Sequence, residues 1–334
     1  MVVTENDLLT QEIICILEEQ LKKDYKEGNT KRDAHPKGLG LLKAEFKVID
    51  SLPEELNVGI FEPGKVYSTL IRFSSGGNKV KSDKSKDLRG MAIKLIGVKG
   101  EKYSRDEKYT QDFILLTMPT MPIGTLPLFR DVIYYALKKK NPFMLLYKFI
   151  EKGNLKSIKD IIVNRKNQTS PLDVRYWSTT PYMYGNRVVK YSVIPKSKYK
   201  SQMPKVLTKE YLSDNMQKHL SEYEAIFDFV VQFQLNEKEM PINDSSIEWD
   251  EKKSPFIKVA EIIIPKQNFR TEEREKLEEN LSFSPGHSLL EHQPIGDINI
   301  ARSRIYRELS KFRHMRNKKE LIEPTEDDYN KLIK

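Results

Sequence analysis

Two runs of short apolar segments, broken by glycine, proline and charged turns, restrict this chain to folds built on an antiparallel sheet or barrel. The first run holds residues 40–48, 66–73, 91–98 and 113–116; the second holds 187–194, 227–235 and 257–264. Segments of this length, rich in β-branched and aromatic residues and bounded by turn formers, read as strands. Helical periodicity surrounds them. Leu9, Ile13, Ile16, Leu17 and Leu21 repeat at helix spacing, which predicts an amphipathic helix over 7–24, followed by a polar loop at 26–31. Residues 127–163 mix apolar, aromatic and basic side chains and read as two helices broken at Asn141-Pro142. Residues 271–281 and 298–314 also read as helices, while the charged stretch from Arg316 reads as a frayed tail. The sum is an α+β chain with a β-rich centre and helical ends.

Charge and cysteine content narrow the function. The net charge of +9 invites a nucleic-acid reading, but the basic residues are interleaved with 48 acidic ones and no nucleic-acid-binding motif accompanies them. No nucleic-acid partner is expected. No apolar run reaches the ~18 residues that a spanning helix needs. The start, Met1 to Asp7, carries no basic region ahead of an apolar core, and Cys15 is the sole cysteine. Together these predict a cytoplasmic protein without a disulfide or a cysteine-based zinc site.

Near the end of the chain, Arg302 and Tyr306 stand four residues apart. On a helix that spacing sets a guanidinium beside a phenol, where it favours the phenolate, an uncommon ligand for haem iron. Two further residues have chemistry to offer. His35, in Arg32-Asp33-Ala34-His35-Pro36-Lys37-Gly38, is the histidine with the most suggestive neighbours and can serve as a base. Arg72 alternates with Ile71 and Phe73, so it faces the opposite side of its strand; if buried there, it must meet an anion.

The ordered set RDAHPKG, IRFS, DLRGMAIK, TQDFIL, YWSTTPYMYG followed by VKYS, and FSPGHSLLEHQPIGDINIARSRIY resembles the haem catalase superfamily. The likeness is nearest to its small catalase-related branch, which also includes the catalase-related allene oxide synthases, and it runs from Arg32 to His314. The resemblance implies an α+β fold with a catalase-like antiparallel β-barrel core, surrounding helices, and haem b (iron protoporphyrin IX) buried against the barrel. It implies one haem domain over 1–334: a helical arm at 1–30, a barrel at 31–264 with a helical insertion at about 127–165, a segment at 265–316 carrying the iron ligand, and a charged tail at 317–334.

Residue roles follow from the same resemblance. Tyr306 matches the proximal iron ligand and Arg302 the arginine that holds it as phenolate. His35 matches the distal histidine, and Arg32 and Arg72 match arginines that pair with haem propionates. Arg313, two helical turns past Tyr306, is a further propionate candidate. The chain departs from the pattern at three places. Thr117-Met118-Pro119 stands where relatives carry an asparagine step, so Thr117 is the remaining distal donor. Ala34 precedes the histidine where a valine or hydroxyl residue is usual, and a second contact to the imidazole is expected to be missing. Gly286 replaces a tryptophan, and His287 and His292 are expected to be packed rather than iron ligands.

The implied activity is that of a haem peroxidase or catalase-like oxidoreductase acting on hydrogen peroxide or organic hydroperoxides. The alternatives are a fatty-acid hydroperoxide isomerase or dehydratase of the allene oxide synthase type, or a haem-binding protein without turnover. The Tyr134–Lys166 segment, apolar and basic at once, reads either as a helix pair covering the barrel or as a peripheral membrane contact that admits lipid hydroperoxides. Tyr176, Trp177, Tyr182 and Tyr184 read as core or as a channel lining. The sequence leaves the oligomeric state open, and interlocking of the kind that large catalases form through a long arm and C-terminal domain is not expected.

Overall fold

The computed structural model describes residues 3–332. Its centre is a closed barrel. Strand β1 (Gly38–Val48) pairs with β2 (Val66–Ser75) on one side and β9 (Ile257–Ile264) on the other. From β2 the ladder continues through β3 (Arg89–Ile96) and β4 (Thr110–Leu116) to the short β5 (Tyr176–Trp177), which also pairs with β7 (Arg187–Pro195). Strand β8 (Ala225–Phe233) joins β7 to β9, so eight antiparallel strands close the ring among the described residues. The remaining strand, β6 (Tyr182–Tyr184), lies on the same edge of β7 beyond β5. Closure leaves no long unpaired edge in the ring.

Alternation along the strands fills the barrel. Phe46, Phe113, Tyr191 and Phe229 point inward and meet as rings, with Phe113 and Phe229 centroids 4.8 Å apart in an edge-on arrangement. Tyr176, Tyr182 and Tyr184 join this core and are at most 2 % exposed, so these three are packing rather than a channel wall, while Trp177 is partly buried and borders a small separate pocket. A helix additional to those expected, α5 (Tyr211–Glu222), adds Tyr211, Leu212, Met216 and Leu220 to the same core.

Helices clad one side. In α1 (Glu5–Asp24), Thr4 and Asp7 form a capping box, and the stripe Ile13, Leu17, Leu21 packs on Ala301, Ile305 and Leu309 of α7 (Asp297–Asn317) and on Leu126 of α2 (Leu126–Ile133). The N-terminal helix therefore backs the helix that carries Tyr306. Between β4 and β5 the chain runs through α2, a π turn at Tyr134–Lys138, α3 (Pro142–Glu151) and α4 (Leu155–Asn164). Asn141 caps α3 as the Asn-Pro break predicts, but a second break follows at Gly153, whose φ of 65° suits glycine, and the insertion has three helices rather than two. A short α6 (Glu272–Asn280) precedes α7.

The tail is ordered against the barrel, contrary to the frayed expectation. Helix α8 (Glu326–Lys331) opens with a Thr325–Asp328 capping box, buries Tyr329, and aims its hydroxyl at Ala44 O, 3.0 Å away. Charge patterning hid this because acidic residues share the contact with Tyr329 and Leu332: Glu326 accepts from Ser68 Oγ, and Glu323 accepts from the Lys108 and Tyr109 N–H groups; residues 1–2 and 333–334, the outer ends of the expected arm and tail, lie outside the described part. No helix among the described residues is long and apolar enough to cross a membrane.

Candidate active site

Side chains that face out of the barrel on β2, β3 and β4 form the floor of a cleft. Register pairs Arg72 with Ala92 and Ala92 with Ile114; in the next rung Ser74 opposes Gly90. The wall opposite is one face of α7, where Tyr306, Leu309, Ser310 and Arg313 recur at helix spacing. The 32–35 segment closes one rim and Ser282-Phe283 another, enclosing about 700 Å³ with the mouth included. His35 and Tyr306, 271 positions apart in sequence, thus meet because the barrel's outer face and α7 are packed together.

His35 sits over the floor in a left-handed backbone conformation with φ 55°, a strain that non-glycine residues bear mainly at functional sites. Three contacts hold it. Its N–H donates to Gly77 O at 3.2 Å, its carbonyl accepts from Arg72 Nη2 at 2.9 Å, and its Nδ1 lies 2.9 Å from Ser74 Oγ. The ring edge runs across Gly90, where an added Cβ would stand 2.6 Å from Nδ1 and Cε1. Burial, reinforced by the charges of Arg72 and Arg302, pushes the imidazole down to about 3, so His35 is neutral across the physiological range. Its Nε2 has no hydrogen-bond partner among the described residues.

Three arginines cluster near the cleft wall. Arg72 Nε donates to Glu278 Oε1 at 2.7 Å; the anion that its burial demanded is a carboxylate of this chain. Arg32 Nη2 donates to Glu278 O at 2.6 Å and Leu281 O at 3.0 Å, and Arg313 donates to Glu279 O and Leu281 O at 2.5 and 3.2 Å. Burial and the mutual repulsion of these cations lower Arg32 well below the ordinary arginine value, and burial takes Arg313 down to about 10. Glu278 answers Arg72 and Glu279 Oε2 lies 3.5 Å from Arg313 Nη1, while Arg32 is held by main-chain carbonyls.

Tyr306 lies in the cleft wall with the Arg302 guanidinium 5.6 Å from its ring centre. Burial works against the Arg302 charge, yet the phenol oxygens of Tyr306 and Tyr182 hold its pKa above the ordinary value. Arg302 Nη1 also donates to Thr180 Oγ1 at 2.8 Å and Asn299 Oδ1 at 3.2 Å, which fixes the guanidinium beside the phenol.

Of the residues singled out in the sequence, Arg32, His35, Arg72, Tyr306 and Arg313 line the cleft and Arg302 stands behind the phenol. Thr117 is not brought in. Its Oγ1 accepts the Arg89 N–H at 2.9 Å and so fastens β3 to the end of β4. Ala34 does line the cleft without a hydroxyl, but the contact expected to be missing comes from Ser74, across the sheet. His287 and His292 are packed. His287 Nδ1 lies 2.9 Å from Asp112 Oδ2 in a buried network with Lys94 and Glu107, and His292 Nε2 faces Ile60 N–H and Val58 O. Lys94 Nζ lies within contact of both carboxylates, so the Glu107–Asp112–His287 cluster already holds its cation. Ser74, Gly90 and Glu278 escaped sequence reading; a glycine inside the strand pattern at residue 90 was the available signal for a close approach.

No protein-family model and no curated protein matches this sequence. Solved structures do. The chain is similar to a fungal catalase (TM-score 0.67, 19 % identity, 88 % of this chain and 61 % of that one) and to catalase A from Saccharomyces cerevisiae (0.65, 17 %, 88 % and 63 %). A bacterial catalase superposes with TM-score 0.68 at 17 % identity, over 93 % of this chain and 64 % of that one. The chain spans less than two thirds of the length of each. At such identities the likeness establishes architecture, and the architecture of this chain is the catalase-like fold: an antiparallel β-barrel with helices packed around it.

Proposed function

We propose that this chain binds haem b in the cleft, with Tyr306 as iron ligand and His35 as acid/base, and acts on hydrogen peroxide or organic hydroperoxides. The observation that carries the reading is that one cleft joins a guanidinium-backed phenol, a neutral imidazole and clustered arginines.

The residues fit such a group. Arg32 spends its donors on carbonyls, so it retains charge for a dianionic edge, whereas Arg72 and Arg313 would share theirs with Glu278 and Glu279. Tyr306 would hold the iron, with Arg302 stabilising the phenolate, while Arg32, Arg72 and Arg313 would face the carboxylates. When bound, the iron porphyrin supplies a Lewis-acidic, redox-active centre at which a peroxide O–O bond can break. His35 does the proton work. Its unpartnered Nε2 accepts the hydroperoxide proton and, being a weak base in this environment, readily returns it to the departing oxygen. Ser74 and Gly90 fix the ring from below. Ala34, Met91, Ala92, Ile114, Leu115, Phe283 and Leu309 keep the lining apolar and exclude water.

A second reading, rearrangement of a fatty-acid hydroperoxide, is favoured by one observation: no asparagine or glutamine lines the cleft among the described residues, and Thr117 faces elsewhere. A distal side without an amide offers less to orient hydrogen peroxide.

Loading the purified protein with haem should give a high-spin ferric spectrum that Tyr306→Phe abolishes; an unchanged spectrum in the variant would overturn the assignment. Incubation with hydrogen peroxide and with a polyunsaturated hydroperoxide then separates the reactions. Oxygen release or reductant oxidation supports the first, an epoxide or ketol the second.

A further inference from the structure

The insertion between β4 and β5 presents its apolar stripe to solvent. On α3, Phe143, Leu146, Tyr147 and Ile150 recur at i, i+3, i+4 and i+7 and are 84, 47, 51 and 52 % exposed. The spacing is that of α1, whose stripe is buried on α7; here the same pattern faces outward and Phe149 alone on α3 is buried. Helix α4 adds Leu155, Ile162 and Val163, each about half exposed or more. An exposed apolar stripe of the kind α3 carries marks an interaction site.

Charge identifies the partner. Residues 134–166 contain nine basic and two acidic side chains, most of the chain's net charge of +9. Lys138, Lys139, Lys140, Lys152, Lys156 and Lys159 are all exposed, and none forms an ion pair among the described residues. A second copy of the same face would set these lysines against one another. An anionic surface of phospholipid headgroups over acyl chains complements both features, since lysines take the phosphates while the aromatic and aliphatic stripe enters the headgroup boundary.

We propose that α3 and α4 form a peripheral docking face for anionic phospholipid membranes. The face is held on the protein through α2, which packs against α1 and α7, so docking anchors the helix that bears Tyr306 near the bilayer. This assignment stands on exposure and charge and does not depend on haem or peroxide chemistry.

The full chain is tested by co-sedimentation with phosphatidylcholine vesicles prepared with and without phosphatidylserine. The expected result is partition at least about tenfold stronger onto the phosphatidylserine vesicles, weakened by added salt. Phe143→Asp combined with Ile150→Asp should abolish binding, and Lys138→Gln, Lys139→Gln and Lys140→Gln together should weaken it about tenfold or more. All five positions are exposed, so thermal melts should match the parent chain, and the lysine set tests the idea even if the acidic pair perturbs folding. Absence of binding to either vesicle, or binding indifferent to salt and to the lysine set, would overturn the proposal. So would a dimer in solution that the acidic pair dissociates while vesicles are ignored, since the face would then belong to a second copy.

Discussion

Ser74 Oγ lies 2.9 Å from Nδ1 of His35, and this contact ties a left-handed loop residue to the outer face of the barrel. It fixes which ring nitrogen remains free for a substrate. Ser74→Ala removes the tie without filling the cleft, and a net hydrogen bond is worth about 1 kcal/mol. The expected outcome is unaltered haem uptake with a roughly fivefold to tenfold lower turnover number; steady-state kinetics beside a haem titration reads it. Turnover equal to the parent would show that Arg72 and the Gly77 carbonyl suffice to position the ring.

Gly90 makes the same point from beneath. A methyl there would stand 2.6 Å from the imidazole and 2.8 Å from Ser74 Oγ, closer than real contacts allow. Gly90→Ala should therefore displace His35 and reduce turnover more than Ser74→Ala does, while overpacking lowers stability by about 1–3 kcal/mol. Denaturant unfolding and single-turnover assays on the same preparation test both halves.

Much of this was legible in the sequence because it depends on periodicity. The strands of both runs, the long helices at either end and the break at Asn141-Pro142 followed from spacing and turn chemistry. Tyr306, His35 and Arg72 were visible because a phenol beside a guanidinium, a lone loop imidazole and an arginine in an apolar strand each pose an energetic question. What escaped depends on who stands opposite. Ser74 reads as an ordinary strand serine until the antiparallel register and the loop bring it beneath His35. Glu278 reads as one acidic residue in a charged helix until α6 packs on β1 and hands it to Arg72 on the neighbouring strand. Thr117 was singled out because it stands at the asparagine step of the resemblance, whereas its hydroxyl accepts the Arg89 N–H and is not in the cleft lining.

The Arg72–Glu278 pair is buried, with side chains only 4 and 12 % exposed. Removing one partner leaves the other uncompensated in a low-dielectric site, which typically costs about 3–5 kcal/mol. Arg72→Met should show a loss of that order in urea unfolding together with weaker haem uptake. Glu278→Gln should retain more stability, because Arg72 keeps the His35 carbonyl, and should bind dianionic ligands more tightly as a competing carboxylate is gone. Equal losses in both variants would refute the asymmetry.

Lys94 is fully buried between Glu107 and Asp112, with His287 against the same carboxylates. Burial alone would raise Asp112, but Lys94 and His287 hold its pKa below the ordinary value. Lys94→Met should destabilise by about 3–5 kcal/mol, and adding Asp112→Asn should recover part of the loss, the signature of a coupled pair in a double-mutant cycle. A depressed carboxylate contributes stability above its unfolded pKa and loses it as pH falls, so the parent chain should lose this contribution only in strong acid.

A second acid-sensitive group acts at milder pH. His292 is 0 % exposed between the rings of Phe61 and Tyr184, and burial pushes its pKa from 6.5 down to about 4 despite favourable backbone contacts. Because the folded state holds the imidazole neutral, its stabilising effect is complete above pH 6.5 and is lost progressively as pH falls towards 4, amounting to about 3 kcal/mol. His35, lowered for the same reason, adds to the slope in the same direction and extends it towards pH 3. Urea midpoints should therefore be level near neutrality and decline below pH 6.5. His292→Phe, which surrenders the Ile60 N–H contact, should be less stable at neutral pH yet show a shallower decline; a slope identical to the parent's would mean that the transition belongs to other groups.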